Sequence, residues 1–180
     1  MAGSAGADAI TPLYSAETIA RRVEELARDI AAAKLSDLII VAVLKGSFIF
    51  AADLIRALNR QGLHPEIDFI FLASYGDSIT SSGEVKVLRD VESALQGRDV
   101  VIVDDILDSG RTLAFAKGLL AARGARLVKT CVLLDKQVPR AAEIAPDFTG
   151  FRCPPCFVVG YGTDLANRYR ELPFIGVLEG

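Results

Sequence analysis

Tryptophan is absent from the 180 residues, histidine occurs once, and cysteine occurs three times. Three cysteines do not build a disulfide framework, and a chain of this length with 51% hydrophobic residues buries a core without one. The single histidine, His64, lies in the turn QGLHPE and reads as a loop residue without catalytic work. Cys131 sits in the apolar stretch LVKTCVLL and reads as inert core. Cys153 and Cys156 form C-P-P-C, the spacing of a redox pair or half a zinc site. No second Cys/His pair completes a zinc set, so the pair is assigned to a surface loop. Long apolar runs are lacking too: the longest aliphatic stretch, 38–44, is far short of the ~20 residues that cross a bilayer. No membrane anchor is expected. The opening MAGSAGADAITPL has neither the basic nor the apolar region of a secretory signal, so residues 1–14 are expected to be a flexible terminus of a cytoplasmic protein. A net charge of −3 and the want of a basic run argue against a nucleic-acid surface and leave small anionic substrates compatible. The G-x-x-x-x-G-K-[ST] cradle is missing, and Gly160-Tyr161-Gly162 does not open a G-x-G-x-x-G turn.

What is present alternates between strand and helix patterns. Residues 15–33 carry Ile19, Val23, Leu26 and Ile30 at three- and four-residue steps behind Ser15, which is placed to cap the helix. A strand over 38–44, a helix over 48–60, a strand over 67–73 and an antiparallel or edge strand over 84–89 follow. The pattern then gives a strand over 100–103, a helix over 113–123, and strands over 126–134 and 157–159. This repeat predicts one domain, residues 1–180, of the α/β class with a doubly wound, mostly parallel sheet. No internal repeat or linker divides it.

The segment VVIVDDILDSGRT, residues 100–112, concentrates the chemistry. An unbroken β-branched run is expected of a parallel strand covered on both faces, and Asp104 and Asp105 should emerge at its carboxyl end, where open α/β sheets bind ligands. Asp108, Ser109, Gly110, Arg111 and Thr112 then run into an apolar helix. Its first-turn N–H groups and positive dipole end attract phosphate, with hydroxyls from Ser109 and Thr112 and close backbone approach at Gly110. The two acids upstream do not favour phosphate and instead suit sugar hydroxyls or a divalent cation. A ribose 5-phosphate satisfies both halves.

VVIVDDILDSGRT resembles the phosphoribosyl-pyrophosphate motif of the type I phosphoribosyltransferases, in particular the hypoxanthine-guanine group. LKGS at 44–47 resembles that family's pyrophosphate loop and SYGDSITSSGEV at 74–85 its mobile loop. LLDK at 133–136 and FVVGYGTD at 157–164 resemble its purine pocket. The likeness runs from about residue 15 to 178. It implies the type I phosphoribosyltransferase fold, with a small hood formed by the tail and the N-terminal helix, and Mg²⁺ as cofactor. It also implies a homodimer or homotetramer, and transfer of the phosphoribosyl group from 5-phosphoribosyl 1-pyrophosphate to hypoxanthine or guanine.

The same likeness distributes the roles. Asp108 takes the N7 proton of the purine. Its other use is as a helix cap, and the two are compatible. Asp104 and Asp105 contact the ribose hydroxyls or a metal-bound water, although the first is Glu in many relatives. Lys45, Gly46 and Arg170 meet pyrophosphate, with a non-proline cis peptide at Leu44–Lys45. Ser74 and Tyr75 close over the site, and the polar segment 74–84 is expected to be a lid. Asp164 holds magnesium. Lys136 donates to the 6-oxo group, Phe157 stacks on the ring and the Val158 backbone reads the N1/N2 edge. Thr163 and Leu165 flank Asp164 where relatives often carry larger aliphatic and aromatic residues. This leaves a xanthine-preferring enzyme open as one alternative. A regulator with this fold that binds nucleic acid is the other.

Overall fold

A computed structural model describes residues 10–75 and 84–178. The chain runs β1 (Ile10–Tyr14), α1 (Ala16–Ala32), β2 (Ile39–Leu44), α2 (Phe48–Arg60), β3 (Glu66–Tyr75), β4 (Glu84–Arg89), β5 (Asp99–Leu107) and α3 (Arg111–Ala122). It continues through β6 (Leu127–Lys136), β7 (Phe148–Cys153), β8 (Val158–Val159) and β9 (Ile175–Leu178). Six strands form the main sheet in the order β4-β3-β2-β5-β6-β7. All neighbours pair in parallel except β3 and β4. From β2 the chain winds one way to β3, and from β5 the other way to β6, so the topological switch point lies between β2 and β5.

Period-two alternation sorts the central strands onto two cores. Ile40, Ala42, Val101, Val103, Cys131 and Leu133 face α1 and α2, whereas Ile39, Val41, Val43, Val100, Ile102 and Val132 face α3. Both faces are covered, which is why these strands are apolar throughout. Helix α1 starts where the Ser15 hydroxyl accepts the Thr18 N–H at 3.2 Å, and it buries Ile19, Val23, Leu26, Ala27 and Ile30 along one stripe. Truncating Leu26, which is fully buried, to alanine would cost about 2–5 kcal/mol.

Four expectations change. Residues Ile10–Tyr14 are a strand, not part of a flexible terminus: β1 pairs antiparallel with β9, which pairs with β8 in a separate three-stranded sheet. Pro12 masks this strand in the sequence, and it is tolerated because β1 is an edge. That small sheet is the hood, whereas α1 packs on α2 and β7 in the layer beneath it. β5 continues to Leu107, because pairing with β6 persists through Asp104↔Val132, Ile106↔Leu134 and Leu107↔Asp135, so the two acids lie within the strand. The C-P-P-C segment is a surface loop only in part: Cys153 ends β7 and is fully buried, whereas Pro154 and Pro155 are exposed and Cys156 is half-buried. All three cysteines are free thiols, and no group of three metal-binding side chains occurs among the described residues.

No helix among the described residues is long and apolar enough to cross a membrane. His64 lies in the α2–β3 connection, its Nδ1 3.2 Å from Asn59 Nδ2. Most of the expected lid, residues 76–83, lies outside the described residues.

Candidate active site

The carboxyl ends of β2 and β5 frame a cleft of about 280 Å³, lined by Leu44, Gly46, Leu72, Asp104, Asp105 and residues 106–110, 112 and 113. Each wall follows from local chemistry. At the end of β2 the Leu44–Lys45 peptide is cis. Lys45 is exposed with Nζ 6.0 Å from the Phe71 ring centroid, and the buried Ser47 hydroxyl donates to the Val43 carbonyl at 2.6 Å. Glycine next to Lys45 lets the loop lie against the acid pair: a Cβ on Gly46 would fall 1.8 Å from Asp105 Oδ2 and push that carboxylate aside.

Asp104 and Asp105 are pressed together on the strand. Their carboxylates accept the next backbone N–H groups, Asp105 N at 3.0 Å and Ile106 N at 2.9 Å. Burial, followed by the charge of Asp105, pushes Asp104 well above the usual carboxylate range. Burial also raises Asp105, against its hydrogen bonds and the more distant Arg170 charge. Two adjacent carboxylates short of positive charge resist ionising together, and hydroxyl donors or a cation would relieve them.

The chain then turns into the phosphate cradle. Gly110 is the N-cap of α3 with φ +79°, so Asp108 does not cap this helix. The Ser109 carbonyl accepts N–H groups from Ala141 and Ala142 at 2.9 and 3.2 Å. A Cβ on Gly110 would lie 2.9 Å from Ile144 Cγ2, so the 141–144 segment braces the cradle from behind. Arg140 secures that brace by pairing with Asp135 and donating to the Ile144 carbonyl at 2.8 Å. Ser109 and Arg111 are exposed, Thr112 is half-buried, and the first turn of α3 offers N–H groups that have no partner within the helix.

On the hood side of the cleft, Lys136 at the end of β6 donates to Asp108 Oδ2 at 3.1 Å. Phe157 is exposed before β8, while Val158 is buried and paired with Val177. Asp164 Oδ1 lies 2.8 Å from Arg170 Nη2, and its Oδ2 accepts the Asn167 N–H at 2.6 Å. Arg170 also donates to the Gly162 carbonyl, at 2.5 Å. Ser74 and Tyr75 end β3, with backbone pairing to Val85 and Glu84.

The anchor of the hood loop escapes a reading of the sequence. Tyr161 is buried with φ +48°, and its hydroxyl donates to Asp53 Oδ2 of α2 at 2.6 Å. Beside it, a Cβ on Gly162 would fall 2.2 Å from the Gly46 carbonyl. The loop carrying Asp164 thus rests directly on the loop carrying Lys45. Glycines on both sides of Tyr161 were the available signal; its partner, 108 residues away, was not.

The adjacent carboxylates of Asp104 and Asp105 are oxygen donors of the kind a hard divalent cation takes, and Asp164 carries another in the hood loop, but the three do not gather into one ligand group, so substrate oxygens would have to complete the shell. Comparison with known proteins agrees with the geometry. The phosphoribosyl transferase domain model matches residues 10–165. The chain is 44% identical over 168 residues to a hypoxanthine-guanine phosphoribosyltransferase of Bacillus subtilis, covering 93% of this chain and 92% of that one. It is 48% identical over 141 residues to the protein of the same name from Lactococcus lactis, covering 78% and 75%. The fold matches a hypoxanthine phosphoribosyltransferase of Staphylococcus aureus with TM-score 0.88 at 36% identity, over 96% of this chain and 92% of that one. With its sheet order, cradle and acid pair all in place, the chain belongs to the hypoxanthine-guanine phosphoribosyltransferases of the type I phosphoribosyltransferase family.

Proposed function

We propose that this protein transfers the phosphoribosyl group of 5-phosphoribosyl 1-pyrophosphate to N9 of hypoxanthine or guanine, with release of pyrophosphate, in purine salvage. The observation that carries the reading is the 3.1 Å pairing of Lys136 with Asp108 at the mouth of a cleft whose floor is the acid pair and the phosphate cradle. On a 6-oxopurine, O6 and N7 are adjacent acceptor and proton-bearing positions. A lysine and a carboxylate held side by side match them, donor to O6 and acceptor at N7. An adenine amino group would instead set a donor against the Lys136 ammonium, leaving a buried polar group unpaired.

The 5-phosphate seats on the N–H groups and hydroxyls of Ser109, Gly110, Arg111 and Thr112. Asp104 and Asp105 accept the ribose hydroxyls, which add donors to the two backbone N–H groups that this pair already holds. Phe157 stacks on the purine plane and the Val158 backbone meets its N1/N2 edge. As N9 attacks the anomeric carbon, positive charge develops on the sugar and negative charge on the leaving group. Asp108 then takes the proton from N7. Lys45, the Gly46 backbone and Arg170 balance the leaving pyrophosphate, with Ser74 and Tyr75 closing above it. Asp164, Asp104 and Asp105 are the residues that would hold Mg²⁺, which would supply positive charge to stabilise the leaving group. Arg170 and Asp164 neutralise each other at 2.8 Å, so Arg170 must leave this ion pair to meet pyrophosphate.

A product assay with hypoxanthine, guanine, xanthine and adenine, each with the sugar pyrophosphate and Mg²⁺, tests this reading. Hypoxanthine or guanine should give its 5′-monophosphate and stoichiometric pyrophosphate. Preference for xanthine, or no pyrophosphate release with any base, would overturn it.

A further inference from the structure

Two thiols stand next to Lys136 and Phe157, the residues assigned above to the purine, and the reaction uses neither. Cys153 closes β7 in register with Lys136 of β6, and its carbonyl accepts the Gln137 N–H at 2.9 Å. Cys156 is half-buried, directly precedes Phe157, and donates its N–H to the Pro154 carbonyl at 2.8 Å. The residues between them are both proline, whose fixed φ holds the turn and leaves little entropy to lose on closing the ring. The turn sets the two thiols beside one another, and the Cys153 thiol is raised to about 11 by burial first and then by its neighbour Cys156. Cys153 is fully buried, so an oxidant reaches it only through Cys156.

We propose that Cys153 and Cys156 are a dithiol–disulfide pair that closes reversibly beside the purine pocket, and that the oxidised form binds purine more weakly because closure displaces Phe157. The second half rests on the site reading above. The oxidant is a small-molecule disulfide of the glutathione class. The Cys156 thiolate attacks one of its sulfurs and expels a first small thiolate. The Cys153 sulfur then loses its proton and attacks Cys156 in the mixed disulfide, expelling the second. Two protein thiols and one small disulfide become one protein disulfide and two small thiols; two electrons pass to the small molecule and two protons end on the released thiols. Strand pairing pins Cys153, so the turn carrying Cys156 makes the movement and Phe157 moves with it. Lys136 stays in its strand register.

The full-length chain, equilibrated in glutathione buffers of increasing oxidised fraction and trapped by alkylation, should lose two hydrogens in a single transition. Peptide mapping should join 153 to 156 and leave Cys131 reduced. The purine KM should rise several-fold in the oxidised form, the sugar-pyrophosphate KM should hold, and dithiothreitol should reverse both the mass change and the KM. C156S should show neither effect and keep normal turnover. C153A should trap a glutathione adduct on Cys156, and if the buried position does not tolerate alanine, C156S carries the comparison alone. No intramolecular disulfide in the most oxidising buffer, or a disulfide with unchanged purine KM, overturns the proposal. Mass is read without substrate, so an inactive reduced enzyme that still forms the disulfide would defeat the site reading alone. An active enzyme that never forms it would defeat the redox pair alone.

Discussion

Replacing Gly46 by alanine tests whether the pyrophosphate loop and the acid pair work as one surface. The new Cβ would fall 1.8 Å from Asp105 Oδ2 and 2.5 Å from its Cγ, far inside van der Waals contact, so the carboxylate must leave its place. Asp105 then no longer accepts its ribose hydroxyl. A hydrogen bond to a charged group contributes about 1.5–3 kcal/mol, which is about 10- to 150-fold in kcat/KM for the sugar pyrophosphate. Gly62→Ala is the control: its φ of +79° strains any side chain, yet nothing lies within 4 Å of the new Cβ. That variant should lose about 1 kcal/mol, or 2–4 °C in Tm for a domain of this size, with steady-state constants intact. Initial rates over both substrates and thermal melts of the two variants suffice. If Gly46→Ala keeps the wild-type kcat/KM, or if both variants lose activity only in proportion to stability, the contact between loop and acid pair has no part in sugar binding.

Asp108→Asn should lower kcat by about 10²- to 10⁴-fold while nucleotide binding, measured by titration, changes little, because the charge acts at proton transfer; undiminished turnover at saturating substrate refutes the assignment. Lys136→Ala should erode the preference for 6-oxo over 6-amino purines, and an equal loss with every base would remove Lys136 from recognition of the 6-position. Tyr161→Phe deletes a 2.6 Å hydrogen bond to Asp53 and should lower stability by about 1 kcal/mol, read by denaturant melts. Asp147 supplies a pH test: burial raises its carboxyl, but the Thr130 backbone N–H, Lys129 and Lys117 outweigh this and hold it below the ordinary value. Its stabilisation is therefore complete above the unfolded pKa of about 3.9 and disappears as pH falls through the lower folded value. The Tm deficit of Asp147→Asn should be full at pH 6 and vanish near pH 2, and a deficit independent of pH would show that the charge is not responsible.

Local signals made much of this molecule legible in its sequence. The β-branched runs of β2 and β5, the stripe of α1 behind Ser15 and the step from Asp108 into α3 each arise within about a dozen residues, where period and capping dominate. Pairing between distant segments was hidden. FTGFRC has no β-branched run, and it becomes strand β7 only because β6 offers an open edge; that pairing buries Cys153, the first residue of C-P-P-C, and leaves the two prolines exposed. Likewise, Asp104 and Asp105 stand adjacent in the sequence, but their shortage of positive charge follows from burial within the lengthened β5. The placement of Tyr161 on Asp53 and of Gly162 on Gly46 depends on how the hood settles over α2, which no window of sequence contains.

The order of synthesis gives the hood a meaning of its own. β8 is completed only by β9, and β9 pairs with β1, so Ile10 meets Leu178 across almost the whole chain. A ribosome makes β2, β5, the cradle and the 141–144 brace well before it makes residues 175–178. A nascent chain can therefore acquire its sugar-phosphate seat while the strand that carries Val158 still lacks its neighbour. On the site reading proposed above, Lys136 of β6 is made early, whereas the contact of the Val158 backbone with the purine N1/N2 edge is the last part of the site to be built. Losing the final strand should therefore weaken purine binding more than it weakens binding of the sugar donor.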